Sequence, residues 1–296
     1  MEITHSSENS AKIKLISAMI AFGTIGIFVR YIPLSSTMIA LIRGIVGTVF
    51  LIFITLLQKT RISASAIKKN LPALCLSGAF IGINWILLFE AYRYTTVAAA
   101  TLCYYLAPIF VIVASPFFLK ETLTLKKILC VLGALIGMVL ISGVVQNKGI
   151  HLSEMKGIFF GTGAALFYAS VILLNKKIKD ISAYDKTIMQ LASASVVLLP
   201  YALLTENFEA ISLTPSAVIL LLVVGILHTG ICYTLYFGSM RYLKAQTVAI
   251  FSYIDPVVAI ILSAVILHEK MDLLSILGAV MILGSTLISE LQLSRK

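Results

Sequence analysis

Two stretches decide the fold. The first is FEAYRYTTVAAATLCYYLAPIFVIVASPFFLKET, from Phe89 to Thr122, and the second is FGSMRYLKAQTVAIFSYIDPVVAIILSAVILHEK, from Phe237 to Lys270. A constant offset of 148 aligns Phe89 with Phe237, Arg93 with Arg241, Tyr94 with Tyr242 and Val97 with Ala245. The same offset aligns Tyr105 with Tyr253, Pro108 with Pro256 and Glu121 with Glu269. Apolar matches alone carry no weight in such a chain, but arginine, proline and glutamate recurring in one register mark an internal duplication. The repeat unit is about half the protein, giving a first half over 13–147 and a second over 156–290.

Composition says what the repeat is made of. Of 296 residues, 59% are hydrophobic and 12% charged, with a mean hydropathy of +1.02. A soluble chain of this length needs far more polar surface, and the same figures exclude disordered and collagen-like chains. Long uncharged runs resolve into ten spans, at 14–31, 36–57, 71–90, 96–118, 127–145, 157–175, 185–204, 215–237, 246–267 and 273–290. Each approaches the roughly 20 residues that a helix needs to cross the hydrocarbon. Consistent period-two alternation is missing, which favours helices over a barrel. The predicted fold class is therefore an all-α polytopic membrane protein of ten transmembrane helices in two five-helix halves. Five is odd, so the second half starts on the opposite face and the repeats are inverted, a construction suited to alternating access around a midplane site.

The basic residues give orientation. With the N-terminus inside, seventeen lysines and arginines fall on the cytoplasmic side and five on the other, Arg43 lying within a span. Both termini are thus expected in the cytoplasm. The positive charge anchors topology in short loops, and no aromatic-basic interleaving suggests nucleic acid. Cys75, Cys103, Cys130 and Cys232 read as small buried hydrophobes. No G-K-[ST] phosphate loop, metal-ligand cluster or catalytic arrangement is visible. The expectation is a protein that is not an enzyme and has no cofactor and no metal.

With Arg93-Tyr94, Tyr105…Pro108 and Glu121-Thr122 in one half, and Arg241-Tyr242, Tyr253…Pro256 and Glu269-Lys270 in the other, the chain resembles the EamA-type family of the drug/metabolite transporter superfamily. Gly133-Ala134 and Gly278-Ala279 follow in the two copies. The resemblance implies a ten-helix secondary transporter of a prokaryotic inner membrane. Its central cavity would be lined by the first four helices of each half, the fifth packing outside. It also implies export of a small metabolite such as an amino acid. A passive channel, or transport of drugs, nucleotides or cofactors, is the alternative. One departure is that Asp255 stands where the first half has Ala107.

Few ionisable groups lie within the spans, and these are the candidates for a substrate site or for proton coupling. Arg43 suits a substrate carboxylate, a partner for Asp255 or Glu90, or a snorkelling role. Asp255, next to Pro256, suits an ammonium group, a proton or a local cap. The pair would fit a zwitterion, and neighbouring rings an aromatic or hydrophobic one. Asn84 and Trp85 offer a hydrogen-bonding group and a stacking face at mid-span, or helix packing. Glu90 reads as a ligand or a boundary charge. Tyr104, Tyr105, Tyr233, Tyr236 and Tyr253 supply rings and hydroxyls, and Tyr168 is a further guess. His228 could titrate near neutrality or bond across helices. Gln190 is the rough repeat counterpart of Arg43. Pro108 and Pro256 read as matched hinges. Glu121 and Glu269, at matched helix ends, suggest gating or packing of the halves. Gly23, Gly26, Gly44, Gly47, Gly133, Gly137, Gly161 and Gly163 read as close helix contacts. The expected partners are a small-molecule substrate and the bilayer, with oligomeric state open.

Overall fold

The structure is a computed structural model that describes residues 5–59, 62–95, 100, 103–141, 155–207, 213–266 and 273–290. In chain order the helices are α1 (His5–Arg30), α2 (Ser36–Leu57), α3 (Ala64–Tyr94), α4 (Ala107–Leu119), α5 (Leu125–Ile141), α6 (Met155–Lys177) and α7 (Ala183–Thr205). There follow α8 (Pro215–Ser239), α9 (Ala245–Phe251), α10 (Ile254–Ile266) and α11 (Leu273–Glu290). Local chemistry sets several starts. Ser35, Ser63, Ser182 and Thr214 each accept a hydrogen bond from a backbone N–H in the first turn, satisfying a donor that has no partner within the helix. Pro215 sits in the first turn of α8, where its missing N–H costs nothing.

Six described helices, α1, α2, α3, α6, α7 and α8, are long and apolar enough to cross a membrane. The surface of the described helices requires one. Leu204 is 87% exposed, Phe117 83%, Leu273 76% and Phe159 75%, and no water-facing shell of a protein holds so much large apolar surface. Cys75 is exposed within this lipid-facing surface beside Leu76, contrary to the expectation of burial, whereas Cys103, Cys130 and Cys232 are buried.

The ten expected spans are present as helices, with two adjustments. The span expected at 246–267 is two helices, α9 and α10, broken at Ser252 and Tyr253. The span expected at 96–118 appears as α4, preceded by a break at Tyr105 and Leu106; residues 96–99 and 101–102 lie outside the described residues. Tyr105 and Tyr253 share one repeat position, so both halves interrupt the fourth helix at the same place. Pro108 and Pro256 follow the breaks in the first turns of α4 and α10. They restart helices there, so they do not kink continuous ones.

The packing obeys the duplication. α6 lies against α3 and α4, and its repeat partner α1 lies against α8 and α10. α3 also packs on α7, mirrored by α8 on α2. α2 meets α7 and α5 meets α11, each a pairing of corresponding helices, and α4 meets α9 across the two broken fourth spans. Helices therefore pack chiefly across the two inverted five-helix halves, and the fifth helix of each half packs chiefly on its counterpart. Glycine permits the closest of these approaches. A Cβ at Gly23 would lie 2.6 Å from Cβ of Val258 and 2.7 Å from the carbonyl oxygen of Asp255, so α1 can seat against α10 only with no side chain there.

Candidate substrate cavity

The repeat arithmetic places α1, α2, α3, α6, α8 and the two broken helices around one centre, and a cavity of about 310 Å³ lies there. Phe22, Gly26 and Val29 come from one face of α1, Ser36, Ala40 and Arg43 from α2, and Asn84, Trp85, Leu88 and Tyr92 from α3. These spacings of three, four and seven are the inward stripes of helices. The second half supplies Tyr168 from α6, Tyr233, Tyr236 and Phe237 from α8, and Asp255 from the start of α10, while Tyr104 comes from just before α4. The cavity reaches the surface at Ser36, where α1 turns into α2. That end lies opposite the lysine-rich one.

Arg43 lies face-on to the only tryptophan, its Cζ 4.1 Å from the centroid of the Trp85 ring. This cation–π contact stabilises a guanidinium in an apolar setting by about 1–2 kcal/mol, but it leaves hydrogen-bonding capacity unused. The Arg43 Nε is buried without a partner, and no described carboxylate pairs with the group. Asp255 stands in the first turn of α10, where the helix dipole favours its charge. The Tyr105 side chain approaches it from behind the cavity wall. The two charges therefore share one chamber without neutralising each other.

Between them runs a continuous aromatic wall. Tyr253 stacks on Tyr105 (centroids 6.1 Å apart), Tyr105 meets Tyr104, and Tyr104 stacks on Tyr168 at 5.5 Å. The Tyr168 and Tyr236 hydroxyls hydrogen-bond at 2.6 Å. Phe22 stands edge-on to both Tyr236 and Tyr233, and Tyr233 edge-on to Trp85. These are ordinary edge and offset geometries for packed rings, and they present π faces and hydroxyls to a ligand.

The sequence candidates fall into two groups. Arg43, Asn84, Trp85, Tyr104, Tyr233 and Asp255 line the cavity, together with Tyr168 and Tyr236. Asn84 also donates to the Ala164 carbonyl at 2.6 Å, tying α3 to α6. The others lie elsewhere. Glu90 accepts from Arg93 at 2.9 Å and from the Tyr201 hydroxyl, an arrangement of the helix end. Gln190 is fully buried, donating to Ser77 at 2.6 Å and Asn175 at 3.2 Å, and knits α7 to α3 and α6. His228 lies in a π-helical segment of α8, Val224–Ile231, and its Nε2 is 2.8 Å from the Thr24 hydroxyl of α1. Tyr253 donates to the Tyr105 carbonyl and supports the wall from outside. Gly26 makes no close helix contact. A Cβ there meets nothing within 4 Å, because the residue faces the cavity. Tyr92, Phe22 and Phe237 were not among the candidates. Tyr92 lies seven residues after Trp85, so helical spacing alone points to it.

At the lysine-rich end the helices are tied together. The Glu121 carboxylate accepts from the backbone N–H of Ala245 at 2.8 Å and of Gln246 at 3.3 Å, capping α9 from the end of α4. The Gln246 side chain donates to Ser115 at 2.7 Å and accepts from Lys127. Lys176 donates to the carbonyls of Met240 and Leu243 beyond α8. Glu269, the repeat counterpart of Glu121, lies outside the described residues.

Comparison with known proteins agrees with this architecture. The EamA-like transporter family matches twice, over residues 9–143 and 155–290. Among relatives, the uncharacterized transporter YxxF of Bacillus subtilis (strain 168) is 32% identical over 281 residues, covering 95% of this chain and 89% of its own length. An uncharacterized transporter of Archaeoglobus fulgidus is 26% identical over 276 residues, 93% of this chain and 94% of its own. A crystal structure superposes with a TM-score of 0.85 at 16% identity, covering 95% and 96% of the two chains, which speaks for the fold. A ten-helix membrane bundle of inverted halves around a cavity is an architecture that transporters use. The chain belongs to the EamA-like transporter family.

Proposed function

We propose that this transporter exports a small zwitterion, an amino acid with an aromatic or hydrophobic side chain, from a prokaryotic cell through its inner membrane, both termini being cytoplasmic. The observation carrying the reading is that Arg43 and Asp255, opposite charges with no ion pair between them, line one aromatic-walled cavity. A carboxylate on Arg43 would fill hydrogen bonds that the protein leaves unmade, and an ammonium group on Asp255 would meet the other charge. The rings would take the side chain. At about 310 Å³ the chamber lies at the small end of the roughly 300–1,000 Å³ common for ligand sites, which suits a single metabolite. Alternating access follows from the inverted halves. In this reading Asp255 also carries a coupling proton when the ammonium group is absent.

Counterflow in proteoliposomes with a panel of labelled amino acids tests the proposal. Wild-type protein should exchange at least one aromatic or branched-chain amino acid. Arg43→Gln and Asp255→Asn should each lose about 30-fold or more in substrate affinity, the cost of leaving one partner of a buried charged pair unmatched. No exchange across the panel, from protein shown to be folded, overturns the substrate class. Flux indifferent to an imposed pH gradient removes the proton from the mechanism and leaves the class standing.

A further inference from the structure

A second cavity, of about 330 Å³, lies at the lysine-rich end, outside the central chamber. It is formed where α1, the start of α7 and the end of α8 meet, and its chemistry is basic. Lys14, Lys186 and Arg241 line it, with Ser182, the N-cap of α7, and Tyr184 and Tyr242 at its edges. Lys186 is the unusual member. Only 4% exposed, it donates to the Phe237 carbonyl at 2.8 Å and meets no carboxylate among the described residues. Arg241 lines the same cavity and Lys176 bonds the Met240 and Leu243 carbonyls just before and after it, both cations. Asp180, which also borders the cavity, gives its carboxylate to Lys69 at 3.1 Å. The positive end of the α7 dipole points the same way. A buried ammonium surrounded by like charge is costly unless an anion completes it.

We propose that this cavity binds the phosphate group of a phosphate ester. The three cations are spaced around a chamber large enough for a tetrahedral oxyanion, and Arg241 brings the forked donor geometry that suits it. Two sources carry this chemistry at the end of a membrane helix: the headgroup of an anionic phospholipid and a soluble phosphate. The surroundings suit the first. Thr234 and Leu235 line the cavity, and the α8 surface continues from them to Ile231, 38% exposed, so an acyl chain would have an apolar track to follow.

The test is thermal unfolding of the delipidated full-length protein in neutral detergent. It is measured with added phosphatidylglycerol, with phosphatidylcholine, and with inorganic phosphate against chloride at matched ionic strength. Phosphatidylglycerol should raise the midpoint by about 5 °C at concentrations a hundredfold above Kd, with phosphatidylcholine inert. Inorganic phosphate reproducing the shift assigns the site to a soluble ester, and its failure to do so assigns the site to lipid. The double substitution Lys14→Gln and Arg241→Gln should remove most of the response. Lys59→Gln with Lys68→Gln, an equal loss of charge at the same end, should keep it. Lys186→Met should remove the response and raise the midpoint in the absence of ligand. No shift with either anion, or equal responses from the two double variants, overturns the proposal.

Discussion

The two ends of the bundle are held in different ways. Around Val29, Ser36 and Tyr92 the helices stand apart over apolar and aromatic side chains, with a glycine, Gly26, left facing the gap. Around Glu121, Gln246 and Lys69, side chains of one half bond to the backbone or side chains of the other. Apolar walls can part without leaving a group unsatisfied, whereas charge-assisted bonds must break: the Ser36 end has such a tie between the halves in Tyr201–Glu90, and the lysine-rich end has several. In a protein of inverted halves this is the asymmetry that one state of an alternating-access cycle requires. The structure is closed by polar bonds at the lysine-rich end, and its cavity reaches the surface at the other.

The largest expected effect comes from filling the open end. Gly26→Leu places a side chain in space that now contains nothing within 4 Å of its Cβ, on the cavity face of α1. Helix propensity favours the change by about 0.8 kcal/mol, so the protein should unfold no earlier than wild type. Its flux should nevertheless fall by tenfold or more, because the side chain occupies the path. Flux and stability moving in opposite directions would separate obstruction from misfolding. Unchanged flux would mean that the route does not pass Gly26.

The tied end should respond more weakly. Removing a cap of this kind costs about 1 kcal/mol, so Glu121→Ala should shift the equilibrium about fivefold toward the state in which the lysine-rich end is parted. The measurement is the labelling rate of Gly26→Cys by a membrane-impermeant maleimide added on the Ser36 side, in a background lacking the four native cysteines. Where the wild-type equilibrium is near balance, labelling should slow by two- to fivefold. An unchanged rate would reduce the Glu121 cap to local packing.

The sequence carried the architecture because membrane helices advertise themselves through length and hydropathy, and the repeat through residues that are rare in such a chain. Arg43 and Asp255 were legible for the same reason, since a charge inside a span has few explanations. The stripe from Asn84 and Trp85 to Tyr92 was partly legible, as helical spacing extends it. Gln190 shows the limit. Repeat registration makes it the counterpart of Arg43, yet α7 buries it against Ser77 and Asn175 while α2 turns Arg43 to the cavity. Duplication fixes which helices correspond, and divergence of side chains then decides which of two corresponding faces packs and which lines a chamber. The breaks at Tyr105 and Ser252–Tyr253 were hidden for another reason. Proline announces that a helix is disturbed, but the choice between a kink and a restart depends on tertiary neighbours such as the Tyr105–Tyr253 stack.

The smallest effect separates both ends from the outer pair of helices. A Cβ at Gly137 of α5 would lie 2.6 Å from the Gly278 carbonyl oxygen and 2.9 Å from Cγ1 of Ile282, both on α11. None of these residues lines the central cavity, and Gly137 lies ten residues along α5 from Lys127, which bonds Gln246 at the tied end. Gly137→Ala must therefore push α5 from α11, at a cost of about 1–3 kcal/mol from overpacking, offset by about 1 kcal/mol of helix propensity. The melting temperature should fall by a few degrees. Flux per folded molecule and the labelling rate of Gly26→Cys should stay at wild-type values, because the fifth helices hold the halves together without moving past the substrate. A change in labelling would show that the α5–α11 contact takes part in parting the halves. The contrast between the ends would then be set in part from outside the cavity.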